Sequence, residues 1–128
     1  TGAIVIVLGT ENMMVQADIK LRSFSTLAHI ITDGYTYTAT QNWHSPKVTG
    51  VVTGQNINVR FARRNSDNRR CIILGDAATA WSGYLHVAVP FVSVGYPGSF
   101  RSMQPWSISL VTDLSPYTVG LTKLLTAV

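Results

Sequence analysis

The stretch Val15-Gln16-Ala17-Asp18-Ile19-Lys20-Leu21-Arg22 alternates strictly between apolar and polar residues. Successive side chains of an extended chain point to opposite faces, so this stretch has one wholly apolar face and one wholly polar face. A helix with its period of about 3.6 residues would not separate the two kinds of residue in this way. The stretch therefore predicts an antiparallel β-strand with one face on a core and the other in water.

The same alternation recurs around residues 57–61, 85–91 and 106–110, and more weakly at residues 35–39. Turn-forming residues separate these runs, including Asp33-Gly34, Ser45-Pro46 and the tetrapeptide at residues 65–68. About eight short strands at this spacing predict a single all-β domain over residues 1–128, an antiparallel β-sandwich with a jelly-roll-like topology. The apolar phase of the strongest strands supplies the predicted core, namely Ile19, Leu21, Val59, Phe61, Trp106 and Ile108.

Two strands depart from simple alternation. Residues 3–8 are apolar on both faces, so both faces need a cover, and a neighbouring subunit is one candidate for the second face. Pro90 interrupts the strand at residues 85–91 and lacks a backbone donor, which predicts that this strand lies at a sheet edge or contains a bulge.

The composition is that of a folded domain with little charge. Of its 128 residues, 46% are hydrophobic and 12% are charged, which suffices for one core. The longest apolar run is residues 3–8, far short of the roughly 20 residues that span a bilayer, so we expect no membrane insertion. The single cysteine, Cys71, lies in an apolar run and is expected to be a buried thiol.

The positive charge is concentrated in one place. Five of the seven arginines flank the turn at residues 65–68, namely Arg60, Arg63, Arg64, Arg69 and Arg70. This pattern predicts a basic hairpin tip at the surface, suited to an anionic partner. It lacks the interleaved aromatic residues that stack on bases, so nucleic acid is not the expected partner.

The usual signatures of catalysis are missing from the sequence. The six acidic residues fall in predicted turns or on the polar face of a strand, whereas a glycosidase needs two converging carboxyl groups. No nucleophile-elbow or phosphate-loop motif occurs, and His29, His44 and His86 do not have the spacing of metal ligands. We therefore expect a protein that is not an enzyme and that holds no metal or cofactor.

Aromatic and basic residues in predicted loops are the candidates for ligand binding. Trp43 and His44 lie in a polar, turn-rich stretch, where an aromatic ring beside amides and hydroxyls suits stacking on a sugar. Alternatively, Trp43 folds back over the end of the sandwich or contacts a neighbouring subunit. The predicted ligand-binding residues are Trp43, His44 and Arg63, with Tyr96 and Arg101 from a second loop.

The second half of the chain contains an ordered series of motifs: Val59-Arg60-Phe61, Cys71-Ile72-Ile73-Leu74-Gly75-Asp76, Thr79-Ala80-Trp81-Ser82 followed by Tyr84, a strand at residues 87–94, Gly95-Tyr96 and Trp106-Ser107-Ile108-Ser109-Leu110-Val111-Thr112. In this order the motifs resemble the distal domain of bacteriophage tail fibres and related phage-encoded fibrous proteins. In that family an Ile-Gly-acidic turn leads into Trp-Ser-Tyr-Pro, a strand, Gly-Tyr and a closing Trp-x-Ile-x-hydrophobic-Val-Thr strand. This chain differs by inserting Gly83 before Tyr84 and by having Leu85 in place of the proline.

The resemblance implies a homotrimer at the tip of a virion fibre that acts outside the cell. Its expected partner is a host receptor, either a surface glycan such as lipopolysaccharide or an outer-membrane protein. The alternatives are a purely structural trimerising cap and, from the enzyme class, a polysaccharide depolymerase, which the small number of acids disfavours.

Overall fold

The computed structural model describes residues 1–9, 13–36, 42–95 and 106–128, and within these ranges the chain forms nine strands in two antiparallel sheets. This arrangement confirms the predicted all-β sandwich. The described ranges contain no helix long and apolar enough to cross a bilayer. The strands are β1 (Ala3–Val7), β2 (Met13–Arg22), β3 (Leu27–Thr36), β4 (Trp43–Thr53), β5 (Ile57–Arg64), β6 (Arg70–Leu74), β7 (His86–Gly95), β8 (Ser107–Val111) and β9 (Tyr117–Leu125).

One sheet has five strands in the order β8-β1-β6-β5-β9, and the other has four in the order β4-β3-β2-β7. Strands β2, β3 and β4 are consecutive antiparallel neighbours in one sheet, and β5 pairs with β6 in the other. The more specific jelly-roll topology is not established by this strand order. What the order does establish is that β4 and β7 lie at the edges of one sheet and β8 and β9 at the edges of the other.

The main core lies between the sheets, where the apolar phases of the alternating strands meet. Ile19, Leu21, Val59 and Phe61 are at most 1% exposed, as the sequence predicted. Burying each such side chain contributes roughly 1.5–3 kcal/mol relative to leaving it exposed. These residues form one contiguous cluster with β1, whose Ile4 and Ile6 lie in the same layer.

The prediction that Ile108 belongs to this core is wrong. Ile108 is 46% exposed and Leu110 is 50% exposed, while Trp106 is partly buried against the core. The physical reason is position, because β8 is an edge strand. Its apolar face borders an open groove of about 230 Å³, lined by Ile4, Leu85, Val87, Ile108, Ser109 and Leu110.

Strand β1 is buried on both faces by the chain itself. Its inner face joins the main core, and its outer face joins a second cluster that contains Ala62, Cys71 and Ile73. Leu114 and Tyr117 pack against this second cluster from outside. The apolar outer face therefore needs no neighbouring subunit to cover it, which corrects the sequence-based interpretation. The expected burial of Cys71 is confirmed.

The cover comes from the connection between β8 and β9, residues 112–116. These strands are at opposite edges of the five-stranded sheet, four interstrand spacings apart, or about 19 Å. The connection crosses the outer face of the sheet to span them, which places Leu114 over the strands in between. The backbone oxygen of Pro116 then accepts a 2.9 Å hydrogen bond from the backbone nitrogen of Asn65, which fixes its far end.

Two predicted turns are instead parts of one β-bulge. Asp33-Gly34 lies within β3 and Ser45-Pro46 lies within β4, where the pairing shifts between Asp33 and Tyr35. Two residues of β4 face one of β3 at this point, and Ser45 has the positive φ of 49°. Residues that favour turns also favour β-bulges. These residues therefore mark a departure from regular strand geometry, but the prediction of two turns was wrong.

The prediction for Pro90 is confirmed, since its strand lies at a sheet edge and its pairing is also interrupted by a bulge. Strand β7 is the edge strand beside β2, and their pairing shifts between Asp18 and Lys20, opposite the segment that contains Pro90. A residue without a backbone donor is tolerated where the ladder is already interrupted.

Candidate functional site

The structure places the predicted site residues on strands rather than loops. Trp43 and His44 begin β4, and Arg63 is the penultimate residue of β5. The loop assignment for these three residues is therefore wrong, because the bulge extends β4 through the turn-forming Ser45-Pro46 pair. The other two predicted residues, Tyr96 and Arg101, lie outside the described part of the chain.

Trp43 is anchored at the end of the sandwich and bridges the two sheets. Its indole Nε1 donates a 3.1 Å hydrogen bond to the backbone oxygen of Ala62. Its ring meets Phe61 edge to face, with centroids 5.1 Å apart and planes at 76°. The ring also lies close to Gly34, where an added Cβ would be 3.0 Å from Cε3. Trp43 therefore folds back over the sandwich end, the alternative role considered from the sequence.

His44 points away from Trp43, because successive residues of a strand face opposite sides of the sheet. Its ring stacks on Tyr35, with centroids 5.3 Å apart and planes at 15°. His44 is not among the groove residues described next. The structure thus separates it from the other predicted binding residues.

Trp43 and Arg63 line the same groove, which opens between β4 and the β5–β9 pair. The groove has a volume of about 410 Å³, within the range of roughly 300–1,000 Å³ that is usual for small-molecule sites. Arg63 follows Phe61 in the inward phase of β5, so its side chain reaches the space between the sheets. The lining residues are Asn42, Trp43, Pro46, Phe61, Ala62, Arg63, Thr118, Gly120 and Leu121.

Gly120 leaves one wall of the groove open. It occupies a bulge in β9, where the pairing with β5 shifts between Phe61 and Ala62. Among the described residues, one atom lies within 4 Å of a Cβ built on Gly120, the backbone oxygen of Phe61 at 3.6 Å. Thr118 donates its hydroxyl to Asn65 Oδ1 at 2.6 Å, which ties this wall to the β5–β6 turn.

Arg70 lies next to Arg63 beside the groove, which the sequence did not predict. The sequence predicted that the whole basic tip would be at the surface. Arg70 pairs directly with Arg63 across the β5–β6 ladder, so the two side chains share a face. Arg70 has no exposed surface, and its guanidinium donates to the backbone oxygen of Asn68. Burial, followed by the charge of Arg63, lowers the pKa of Arg70. The register of the hairpin would have been needed to predict this juxtaposition.

The remaining arginines of the tip make specific structural contacts. Arg60 pairs with Asp76 and donates a 2.6 Å hydrogen bond to the backbone oxygen of Gly75. The Arg64 guanidinium donates two hydrogen bonds, of 3.1 and 2.7 Å, to the Asp67 carboxylate. These bonds lower the pKa of the Asp67 carboxyl. The prediction of a purely superficial basic tip is therefore wrong.

Arg69 adds a link from the tip to β1. Its Nε donates a 2.5 Å hydrogen bond to the backbone oxygen of Leu8, the residue that follows the strand. The tip is thus held against the sheet on both of its flanks.

Four acidic side chains within the described ranges have local partners, namely Asp18, Asp67, Asp76 and Asp113. Asp18 pairs with His29 on the outer face of the four-stranded sheet, where His29 is exposed and hydrogen-bonded. Asp113 accepts bonds of 2.9 Å from the backbone and the hydroxyl of Ser115, which lower its pKa. Among the described residues, no three His, Cys, Asp or Glu side chains are placed to hold a metal ion.

No known protein family matches this sequence, and no curated protein or solved structure is significantly similar to it.

Proposed function

We propose that this chain is the receptor-binding tip of a bacteriophage tail fibre and that it binds a glycan of the bacterial surface, such as lipopolysaccharide, without cleaving it. The observation that carries the proposal is the groove in which Trp43 and Arg63 meet. The setting at a virion fibre tip comes from the sequence resemblance. An outer-membrane protein is the other receptor class, and it would need a surface larger than this groove.

The groove has the chemistry that a charged sugar requires. The indole of Trp43 offers an apolar wall, since its N–H is already satisfied by Ala62. Asn42 provides an amide at the rim, and the Thr118 hydroxyl, whose proton is donated to Asn65, can still accept a hydrogen bond. Arg63 presents a planar guanidinium that suits a carboxylate or phosphate in two-point contact. The combination favours acidic or phosphorylated sugars.

The pairing of Arg63 with Arg70 adds an electrostatic argument. Like charges directly opposite each other in a ladder destabilise a sheet. An anionic ligand beside Arg63 would offset the repulsion between the two arginines. Binding would then be favoured both by this relief of repulsion and by the direct contact with Arg63. Arg63 is thus the residue that selects for negative charge.

The proposal of binding without cleavage rests on how the acids are used. Asp18, Asp67, Asp76 and Asp113 each have a cationic or hydrogen-bonding partner away from the groove lining. Glycoside hydrolysis needs two carboxyl groups on either side of the bond. The described lining of the groove supplies none.

A structural trimerising cap is the second candidate, because both edges of the five-stranded sheet expose apolar residues. Ile108 and Leu110 are exposed on β8, and Val119, Leu121 and Leu124 are exposed on β9. A homotrimer would bring the β8 edge of one chain to the β9 edge of the next, a head-to-tail contact that closes into a ring. We place the trimer contacts at these edges and not at β1.

A glycan array of lipopolysaccharide oligosaccharides, followed by a hydrolysis assay on every positive glycan, tests the proposed function. We expect binding to acidic or phosphorylated members with no change in the mass of the glycan. Binding to no glycan by a homogeneous trimer would favour the cap instead. Release of shorter sugars would contradict binding without cleavage.

A further inference from the structure

The end of the sandwich opposite the groove displays two aromatic rings. Phe24 lies in the turn between β2 and β3, and Tyr84 lies in the segment that precedes β7. The groove lies near the other end of β3, about nine residues or roughly 30 Å along the strand. The two regions are therefore separate surfaces.

Both rings are among the most exposed large side chains of the molecule. Phe24 is 74% exposed and Tyr84 is 84% exposed. Their centroids are 5.8 Å apart and their planes meet at 87°, so they form an edge-to-face pair. This geometry presents two ring faces at about a right angle to each other.

Hydrogen bonds across 57 or 58 positions of sequence hold the pair in place. The backbone nitrogen of Phe24 donates to the backbone oxygen of Ser82 at 2.9 Å. The backbone nitrogen of Ser25 donates to the hydroxyl of Ser82 at 2.9 Å, and the hydroxyls of Ser25 and Ser82 are 2.5 Å apart. These hydrogen bonds fix the backbone segments that carry the two rings. Less conformational entropy is therefore lost when the rings bind a ligand.

Gly83 brings the two segments closer than any other residue would allow. Its φ is +68°, and a Cβ at this position would lie 2.2 Å from Cδ2 of Phe24. Trp81 anchors the same segment by donating a 2.8 Å hydrogen bond from Nε1 to the backbone oxygen of Gly2. The backbone conformation at Gly83 therefore determines the close approach of this segment to the Phe24 ring.

The surroundings of the rings define the chemistry of a ligand. Residues 23–26 and 80–85 contain no charged side chain, and the hydroxyl groups of serine, threonine and tyrosine are their main polar groups. Aromatic faces beside hydroxyls suit the C–H face and the hydroxyls of a neutral sugar. The nearest basic side chains, Arg22 and His86, are exposed and pair across β2 and β7 just outside these segments. An anionic sugar is therefore the competing ligand, which the comparison with sialyllactose below tests.

We infer that Phe24 and Tyr84 form a second glycan-binding site, specific for neutral hexose oligosaccharides and independent of the groove at Trp43 and Arg63. The inference goes beyond the proposed function, because it assigns a different end of the molecule and a different class of sugar. Either site can be present without the other.

The test is a binding measurement on the full chain with neutral gluco-, galacto- and manno-oligosaccharides, with sialyllactose as the anionic comparison. Saturation-transfer NMR identifies the bound sugar, and calorimetry gives its affinity. We expect Tyr84→Ala and Phe24→Ala to weaken binding of the neutral sugar at least tenfold. Tyr84→Phe, which keeps the ring, should retain most of it.

Matched controls separate a site from a general effect. Val51 is 60% exposed on β4, so Val51→Ala removes an exposed apolar side chain elsewhere and should leave neutral-sugar binding unchanged. Thermal unfolding of each variant checks that the fold persists. The inference is overturned if no neutral oligosaccharide binds or if Tyr84→Ala binds as the parent does. It is also overturned if Tyr84→Ala changes the mass of the assembly in light scattering, since the rings would then contact another protein chain.

Discussion

The thiol of Cys71 reports whether the chain itself covers the outer face of β1 and β6. Cys71 has no exposed surface, and burial raises the pKa of its thiol to about 12. This shift lowers the thiolate fraction at pH 8 by about three orders of magnitude. Because the thiolate is the reactive form, Ellman's reagent should modify native Cys71 at least that much more slowly than free cysteine.

Loosening the cover should restore reactivity. Leu114 packs against the cluster that contains Cys71, so Leu114→Ala should accelerate modification at least tenfold. Thr112→Ala, an exposed change in the same connection, is the matched control and should react like the parent. A parent thiol that reacts within tenfold of free cysteine would refute the argument, because the outer face would then be open in solution.

The same shift has a pH dependence with a definite sign. The folded-state pKa lies above the unfolded value, so the contribution of Cys71 to stability is full below about pH 8.5 and is lost as the pH rises toward 12. Between pH 8.5 and 9.5 the loss is about 1 kcal/mol. Burial also raises the pKa of Tyr117, so the informative quantity is the free energy of unfolding of the parent minus that of Cys71→Ala. A difference that stays constant over this interval would contradict the assignment.

Three further outcomes follow from the packing and the charges. Phe61→Ala should lower the free energy of unfolding by about 3–5 kcal/mol in urea titrations, because Phe61 is fully buried and supports Trp43; a loss below about 1 kcal/mol would mean that the core is misassigned. If the chain forms the proposed trimer, Leu110→Asp should dissociate it in light scattering without unfolding the monomer, whereas an unchanged mass would remove β8 from the proposed interface. Glycan binding should weaken several-fold between 0.05 and 0.5 M salt and should lose this dependence in Arg63→Gln, since salt screens the attraction of an approaching anion to the Arg63 charge; salt-independent binding by the parent would exclude Arg63 from recognition.

Local alternation of side chains was enough to predict the sandwich and part of its core. Ile19, Leu21, Val59 and Phe61 lie where their phase placed them, because a strand with one apolar face has a single stable orientation. Ile108 has the same alternation but lies at a sheet edge. Strand order depends on long-range pairing, which the pattern of one strand does not contain.

The candidate site was predictable only in part for the same reason. Trp43 and Arg63 were predicted as binding residues from separate parts of the sequence. The packing of the two sheets places both in one groove. Sequence analysis missed Arg70 and Gly120, because one depends on hairpin register and the other on a bulge. It also missed Phe24, whose exposure depends on a contact with residues nearly 60 positions away.

Filling the groove tests its role in glycan binding most directly. A Cβ on Gly120 makes ordinary contact with the described residues, so Gly120→Leu should occupy the groove while the fold persists. Thr122→Leu, on the same strand and outside the groove lining, is the control. The affinity of the three proteins for an acidic lipopolysaccharide oligosaccharide, measured by calorimetry, is the decisive quantity. We predict that Gly120→Leu binds at least tenfold more weakly than the parent and Thr122→Leu binds equally well; parent-like affinity in Gly120→Leu would contradict a receptor site in this groove.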